Sequence, residues 1–317
     1  MSGVGITNNS KLDGILTDYN AKYSEVFSRN LMTTYQHFCG EVTTNNEKYE
    51  TVFYQNWPVL RKWNSGRQYK ALTAQSVSVT LEPYEKSMEI DWVRYLSDPA
   101  GLARAIDAVL ANMASELDKV VFDKLIAGTT DLGHDGVAWF SASHTVAGSS
   151  VSNTDTTSFS EARVRTVIQA MKLITDDNSE PLGIEPSVLV VGPRHFHKAK
   201  EIFDANVRFV GLSAAGVEAT ASVVTAAAIP NVWQGELLVV ESKRLSGSST
   251  QYHYFLFDTT KPNMPMELVQ HARAPLQPDN DLSEFMGANP AVKLGAKGIL
   301  AVALGPWQLA YGSFATS

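Results

Sequence analysis

The sequence predicts a mixed α+β protein whose outer parts need neighbours to become stable. Three observations carry that expectation. Residues 77–92 alternate apolar and polar side chains with period two, as strands do. Residues 99–127 repeat apolar side chains every three or four positions, as a helix does. From 159 to 271 strand and helix patterns take turns, which implies one compact mixed unit.

Residues 1–50 read as an extended arm. They are polar, with the pairs Asn8-Asn9 and Asn45-Asn46, and hold one amphipathic segment, Leu16 to Phe38. An arm with so little core is stable only when it packs on something else. Residues 51–96 read as a ribbon. Val77, Val79 and Leu81 form one strand, Pro83-Tyr84 a turn, and Met88, Ile90 and Trp92 an antiparallel partner. Ahead of them, Trp57-Pro58 and a turn from Trp63 to Arg67 present aromatic side chains. A two-stranded ribbon alone is marginal in water, so this one calls for a covering neighbour.

The helix of 99–127 is capped by Asp98 ahead of Pro99 and stopped by Gly128. Its seam is Leu102, Ile106, Val109, Leu110, Met113, Leu117, Val120, Val121 and Leu125. At ~1.5 Å per residue it exceeds roughly 40 Å, the length of a structural spar. Residues 129–158 read as Gly-, Ser- and Thr-rich loop around one short strand, Val137 to Phe140. A second helix follows Ser158, whose spacing to Glu161 fits a capping box. Its apolar face is Val164, Val167, Ile168, Met171 and Ile174. A buried strand at 187–191 comes next, then a third helix opened by Gly192-Pro193 and running to Phe203. Leu237–Val240 and Tyr252–Phe257 read as further strands, and Ile299–Ala310 returns to strand character.

Composition excludes several functions. The net charge of −7 argues against a general nucleic-acid binder, which would cluster basic residues. One cysteine, Cys39, rules out an intrachain disulfide framework and a multi-cysteine metal site. The opening residues, Met1 to Gly14, lack the apolar core of a signal peptide, and no apolar run reaches the ~18 residues of a membrane span. A soluble chain made in a reducing compartment is expected.

Residues 134–144 look the most chemical. His134, Asp135, Ser141, Ser143 and His144 invite a hydrolase reading. A serine nucleophile needs a base within hydrogen-bond reach and a third group to orient that base, and nearness in sequence supplies neither. No Gly-x-Ser-x-Gly elbow occurs. The preferred expectation is a loop of polar side chains anchoring its own backbone. His195 and His197 fall on different helix faces, which disfavours a shared metal. Asp176, Asp177 and Glu180 read as a solvated turn, and Arg194, Lys198 and Lys200 as a small basic patch, a subunit contact or a solvated face. Phosphate-binding glycine loops are absent. No catalytic, cofactor or metal site is predicted.

Four stretches in order carry a family resemblance: Asn56–Arg67, Asp135–His144, Met171–Pro193 and Gly305–Ser313. With them the chain resembles the major head (capsid) subunit of Mu-like phages and prophages, which has the HK97-like capsid fold. The resemblance implies an N-terminal arm at 1–50 and a β-ribbon E-loop at 51–96. It implies a long spine helix and P-domain over 97–158, completed by 272–317, and an A-domain at 159–271. Residues 205–230 and 276–298 fit this scheme least well. The implied function is self-assembly through hexamers and pentamers into an icosahedral head around double-stranded DNA, made in the host bacterial cytoplasm and ending in the virion. Implied partners are the chain itself, a portal protein, a maturation protease and packaged DNA held without sequence-specific contacts. No long charged N-terminal extension is seen, so a separate scaffolding protein is expected. On the ribbon, Trp57, Trp63 and Tyr69 would be buried anchors between subunits. Arg61, Lys62 and Arg67 would pair with Glu85 or Glu89 of a neighbour. Two rival readings stand beside this one: an encapsulin-like compartment shell, and a soluble hydrolase using the His134–His144 cluster.

Overall fold

The computed structural model describes residues 17, 34–54, 62, 69, 74–91, 104, 115–211, 226–273, 277–281 and 291–316; for strand residues 88–91, 207–211, 226–229, 277–281 and 291–296 it describes the backbone. In chain order come β1 (Cys39–Thr44), β2 (Lys48–Tyr54), β3 (Ala74–Thr80) and β4 (Glu82–Asp91). Helical residues 115–127, here α1, follow. Next are β5 (His144–Val146), β6 (Ser149–Val151), β7 (Thr154–Asp155), α2 (Glu161–Lys172), β8 (Val188–Val191) and α3 (Pro193–Phe203). Then come β9 (Val207–Gly211), β10 (Ala226–Pro230), β11 (Leu238–Glu241), β12 (Tyr254–Phe257), β13 (Met266–His271), β14 (Gln277–Asp281), β15 (Ala291–Leu304) and β16 (Ala310–Ser313).

The chain divides into two compact units. The first takes residues 1–53, 74–136 and 266–305. Its sheet has the order β1-β13-β15-β14, with β4 also on β15. β15 is long enough to hold β13 and β14 on one side while β4 pairs antiparallel along the other, from Ala291↔Asp91 to Leu300↔Glu82. β2 and β3 form a separate two-stranded sheet, packed at its base through Tyr49 and Val79 against Leu81, Val269, Ala301 and Ala303. The described part of α1 buries Leu117, Val121 and Leu125, the seam expected from sequence. The rest of the predicted helix, apart from residue 104, which is also helical, lies outside the described residues.

The expected pairing of the strands around Pro83 is corrected. Pro83-Tyr84 is no turn; it lies inside β4, which pairs with β15, while β3 pairs with β2. Among the described residues β4 is an edge strand, where a proline without an N–H costs no ladder bond. Trp92 lies outside the described residues.

The second unit takes residues 54–73, 137–265 and 306–317. Its sheet has the order β11-β8-β12-β16-β7. β8 and β12 bury every residue, as their unbroken apolar runs predict for strands covered on both faces. α2 and α3 fall where expected. The α2 cap is Ser160, not Ser158: its Oγ accepts the Arg163 N–H at 3.2 Å. The strand expected at Val137–Phe140 is a series of bends, although Trp139 and Phe140 are buried. The hairpin lies further on, β5 to β6, through Ala147 and Gly148 with φ of 50° and 80°. Two positive φ values define the turn that matches strand twist. Ala-Gly is a poor signal for it, which is why the sequence hid it. The predicted 299–310 strand is broken at Gly305-Pro306, where the chain leaves one unit for the other.

Candidate functional site

The residues that look catalytic in sequence are spent on holding the fold. His144 is fully buried and stacked on Trp307, ring centroids 3.9 Å apart at 7°. Its Nε2 lies 3.3 Å from the Trp139 carbonyl, not from a serine. The Ser141 and Ser143 hydroxyls bond each other at 3.0 Å, and the Ser143 N–H donates to Ser141 Oγ. Neither serine hydroxyl has a histidine in hydrogen-bond reach among the described residues. His134 belongs to the first unit, where its ring meets Phe53 edge-on at 4.5 Å.

The organiser of this loop is a residue that sequence reading passed over. Asn153 is 1% exposed. Its Oδ1 accepts the Ser141 N–H at 2.9 Å, and its Nδ2 donates to the carbonyls of Trp139 (2.8 Å), Trp307 (3.3 Å) and Ala310 (3.3 Å). One amide side chain thus ties the 139–141 loop to the C-terminal segment. An Asn in a Ser- and Thr-rich stretch looks like ordinary loop, so nothing in the sequence marks it.

The first unit has two comparable ties. Asp118 on α1 is 5% exposed, and its Oδ1 accepts the N–H groups of Thr34 and Tyr35 at 2.8 and 2.9 Å. Glu267 on β13 accepts from the Tyr49 hydroxyl at 3.0 Å and the Thr51 hydroxyl at 2.9 Å, pinning the base of the β2–β3 ribbon. Burial, followed by the Glu267 charge, pushes the Tyr49 hydroxyl up to about 12. Beyond this base the outer face of β2 is apolar and open: Val52 is 44% and Tyr54 46% exposed.

Of the interface residues expected from sequence, Trp57, Arg61, Trp63 and Arg67 lie outside the described residues. Lys62 is exposed, and Tyr69 is 89% exposed. Glu85 is exposed on β4 with Lys297 as its register partner, and Glu89 stands opposite Lys293. Glu85 therefore has an opposed lysine within its own chain, a cross-strand pair worth about 0.2–1 kcal/mol. On the alternate face of β4 an open groove of about 360 Å³ runs between α1 and the strands, with Glu82, Tyr84 and Asp123 among its lining. Burial, then Glu82 and Asp123, raises the Tyr84 hydroxyl above its ordinary value. Among the described residues no cluster of His, Cys, Asp and Glu could hold a metal ion, and no helix is long and apolar enough to cross a membrane.

The profile of one protein family, Mu-like prophage major head subunit gpT, matches residues 12–163 and 154–229. No curated protein matches the chain in sequence. Among solved structures, it is similar to a subunit of the bacteriophage PhiM1 mature capsid, at 11% identity and TM-score 0.52 over 90% of this chain and 88% of that one. It is similar to the capsid of the empty GTA particle at 10% identity and TM-score 0.52, over 90% of this chain and 91% of that one. Against the bacteriophage JBD30 capsid the identity is 12% and the TM-score 0.49; 88% of this chain is covered, and it spans 64% of that chain's length.

Proposed function

The chain belongs to the Mu-like prophage major head subunit family and has the HK97-like capsid fold, and we propose that it works by assembling with copies of itself into an icosahedral shell around double-stranded DNA. The observation that carries this reading is the family match across residues 12–229, which takes in the ribbon, the helix and the start of the second unit. The fold agrees with it physically. The two-stranded ribbon exposes Val52 and Tyr54, apolar surface that a neighbouring copy would cover. Hexamers and pentamers are the rings through which such a shell closes. Residues 1–50 hold the arm and 51–96 the ribbon, with β1 and β4 of these ranges built into the sheet of the first unit; 97–158 with 272–317 serve as spine and P-domain, and 159–271 as the A-domain. Trp57, Trp63 and Tyr69 are the ribbon's anchors. Arg61, Lys62 and Arg67 reach the acidic side of β4 on a neighbour, where Glu85 and Glu89 stand.

In this reading the role is structural: the Ser141 and Ser143 hydroxyls bond each other, and His144 lies against the Trp139 carbonyl and the Trp307 ring. The net charge of −7 suits a wall that should not trap its DNA. A scaffolding protein, a maturation protease and a portal protein are the further partners of this reading, with synthesis in the host bacterial cytoplasm and the virion as destination. The test is to induce the source prophage, purify DNA-containing particles on a density gradient and identify their proteins by mass spectrometry. This chain should be the most abundant protein of the DNA-filled fraction. DNA-filled particles that lack it would refute the assignment.

A further inference from the structure

The second unit carries a group of cationic side chains at one end of its sheet and a group of acidic ones at the other. β8 and β11 run parallel, so their C-terminal ends share one end of the sheet, and β12 begins there because Tyr254 pairs with Val191. The start of α3, the 3-10 turn Lys243–Ser246 and the residues just before β12 meet at that end. These segments carry Arg194, Lys198, Lys243 and Arg244, and the half-buried Glu241 stands at the same end, opposite Val191. Gly192 lies so close to the Leu245 carbonyl that an added Cβ would sit 2.2 Å from it, so α3 and the 3-10 turn touch. Arg194 lies 4.4 Å over the Tyr252 ring. Arg194 and Lys198 both face His195, adding to the burial that lowers its affinity for a proton. Arg194, Lys198 and Lys243 are exposed, and none forms an ion pair among the described residues.

The other end of the sheet is acidic. The segment feeding β8 exposes Asp177, Glu180 and Glu185, and Glu236 is exposed just before β11. Lys172 and Lys261 share that end; the Lys261 amine donates to the Gly183 carbonyl at 2.5 Å. The acidic loop is stiff. Asp176 Oδ1 accepts the N–H groups of Asn178 and Glu180 at 2.8 and 2.9 Å, and Asp258 accepts the Glu185 N–H at 2.8 Å. β8 has four residues, so roughly 10 Å of strand separates the two ends.

We infer that copies of this unit join head to tail, the cationic end of one (Arg194, Lys198, Lys243) receiving the acidic loop 177–185 of the next. The inference rests on the self-assembly proposed above and names a surface for it. A unit positive at one end and negative at the other matches itself only in a heterologous contact, which closes a ring when the rotation per copy closes. One exposed ion pair contributes little, but reversing a charge sets like against like and blocks the wrong register at every contact of the ring.

The test uses the full chain with Lys198→Glu, Glu180→Lys and the double variant, each checked for wild-type circular dichroism and melting temperature. Assembly is read by sedimentation and electron microscopy. Each single variant should lose at least tenfold in assembled material, the double variant should recover it, and wild-type assembly should weaken at high salt. Single variants that assemble like wild type overturn this contact and leave the shell reading standing. Singles that fail with no recovery in the double show that the two residues do not face each other, and also overturn it. A wild-type chain that stays monomeric at high concentration with a crowding agent overturns the contact and the shell reading together. Lys243→Glu with Glu185→Lys serves as a second pair if either first variant misfolds.

Discussion

Asn153 connects loop and C-terminal segment through one buried amide, and its removal strands several partners at once. Asn153→Ala leaves the Ser141 N–H and three carbonyls without it. At about 1–3 kcal/mol per unsatisfied buried group, partly relieved by water, a loss of about 3 kcal/mol is expected. Thermal denaturation checks this, and a change below about 1 kcal/mol would mean that the amide is dispensable. His253 offers a pH-dependent test. It is 7% exposed between Phe314 and Phe255, and burial lowers its pKa from the usual 6.5. The folded state then resists a proton that the unfolded state accepts. Its contribution is full above about pH 6.5 and is lost as pH falls from there through the lowered value. His253→Gln should flatten the drop in melting temperature between neutral and mildly acidic pH; an unchanged slope would exclude His253 as its source. Ala147 holds φ of 50° in the β5–β6 turn, a conformation that glycine adopts without strain. Ala147→Gly relieves left-handed strain of about 1–2 kcal/mol against about 0.5–1 kcal/mol of added chain entropy, so stability should rise in the same melting assay. A fall in stability would show that the turn tolerates alanine well. Such single-residue ties were the least legible in the sequence. Asn153, Asp118 and Glu267 act on partners from 12 to more than 200 positions away, and local pattern says nothing of that.

The elements were far more legible than their ties. α2, α3, β8 and β12 declared themselves, because apolar period and run length are local properties of the chain. Pairing is not local, so β3 and β4 were wrongly matched: Pro83 looked like a turn because nothing nearby reveals that β15 waits to pair with β4. The ribbon is the element on which the functional reading depends most. Its base is held by Glu267 through Tyr49 and Thr51. Glu267→Leu removes the carboxylate oxygen that accepts from both hydroxyls and leaves the Thr51 hydroxyl without it in a residue 4% exposed, at a cost of about 1–3 kcal/mol. The loss should appear as faster amide exchange in β2 and β3 than in β8 and β12. Equal acceleration across the molecule, or none, would argue that the ribbon base is fixed by packing alone.

Across the whole molecule, the features that make no sense for an isolated chain are the informative ones. The ribbon strand β2 exposes Val52 and Tyr54, and the second unit groups cationic side chains at one end of its sheet and acidic ones at the other. A protein built to work alone would bury or disperse such surface; a shell subunit uses it at every contact. The resemblance read from four sequence stretches already pointed to this. Negative-stain electron microscopy of the purified chain, with light scattering on the same sample, tests the claim most directly. Rings, tubes or closed shells are the predicted result. A chain that remains dispersed as monomers at high concentration and with a crowding agent would contradict it.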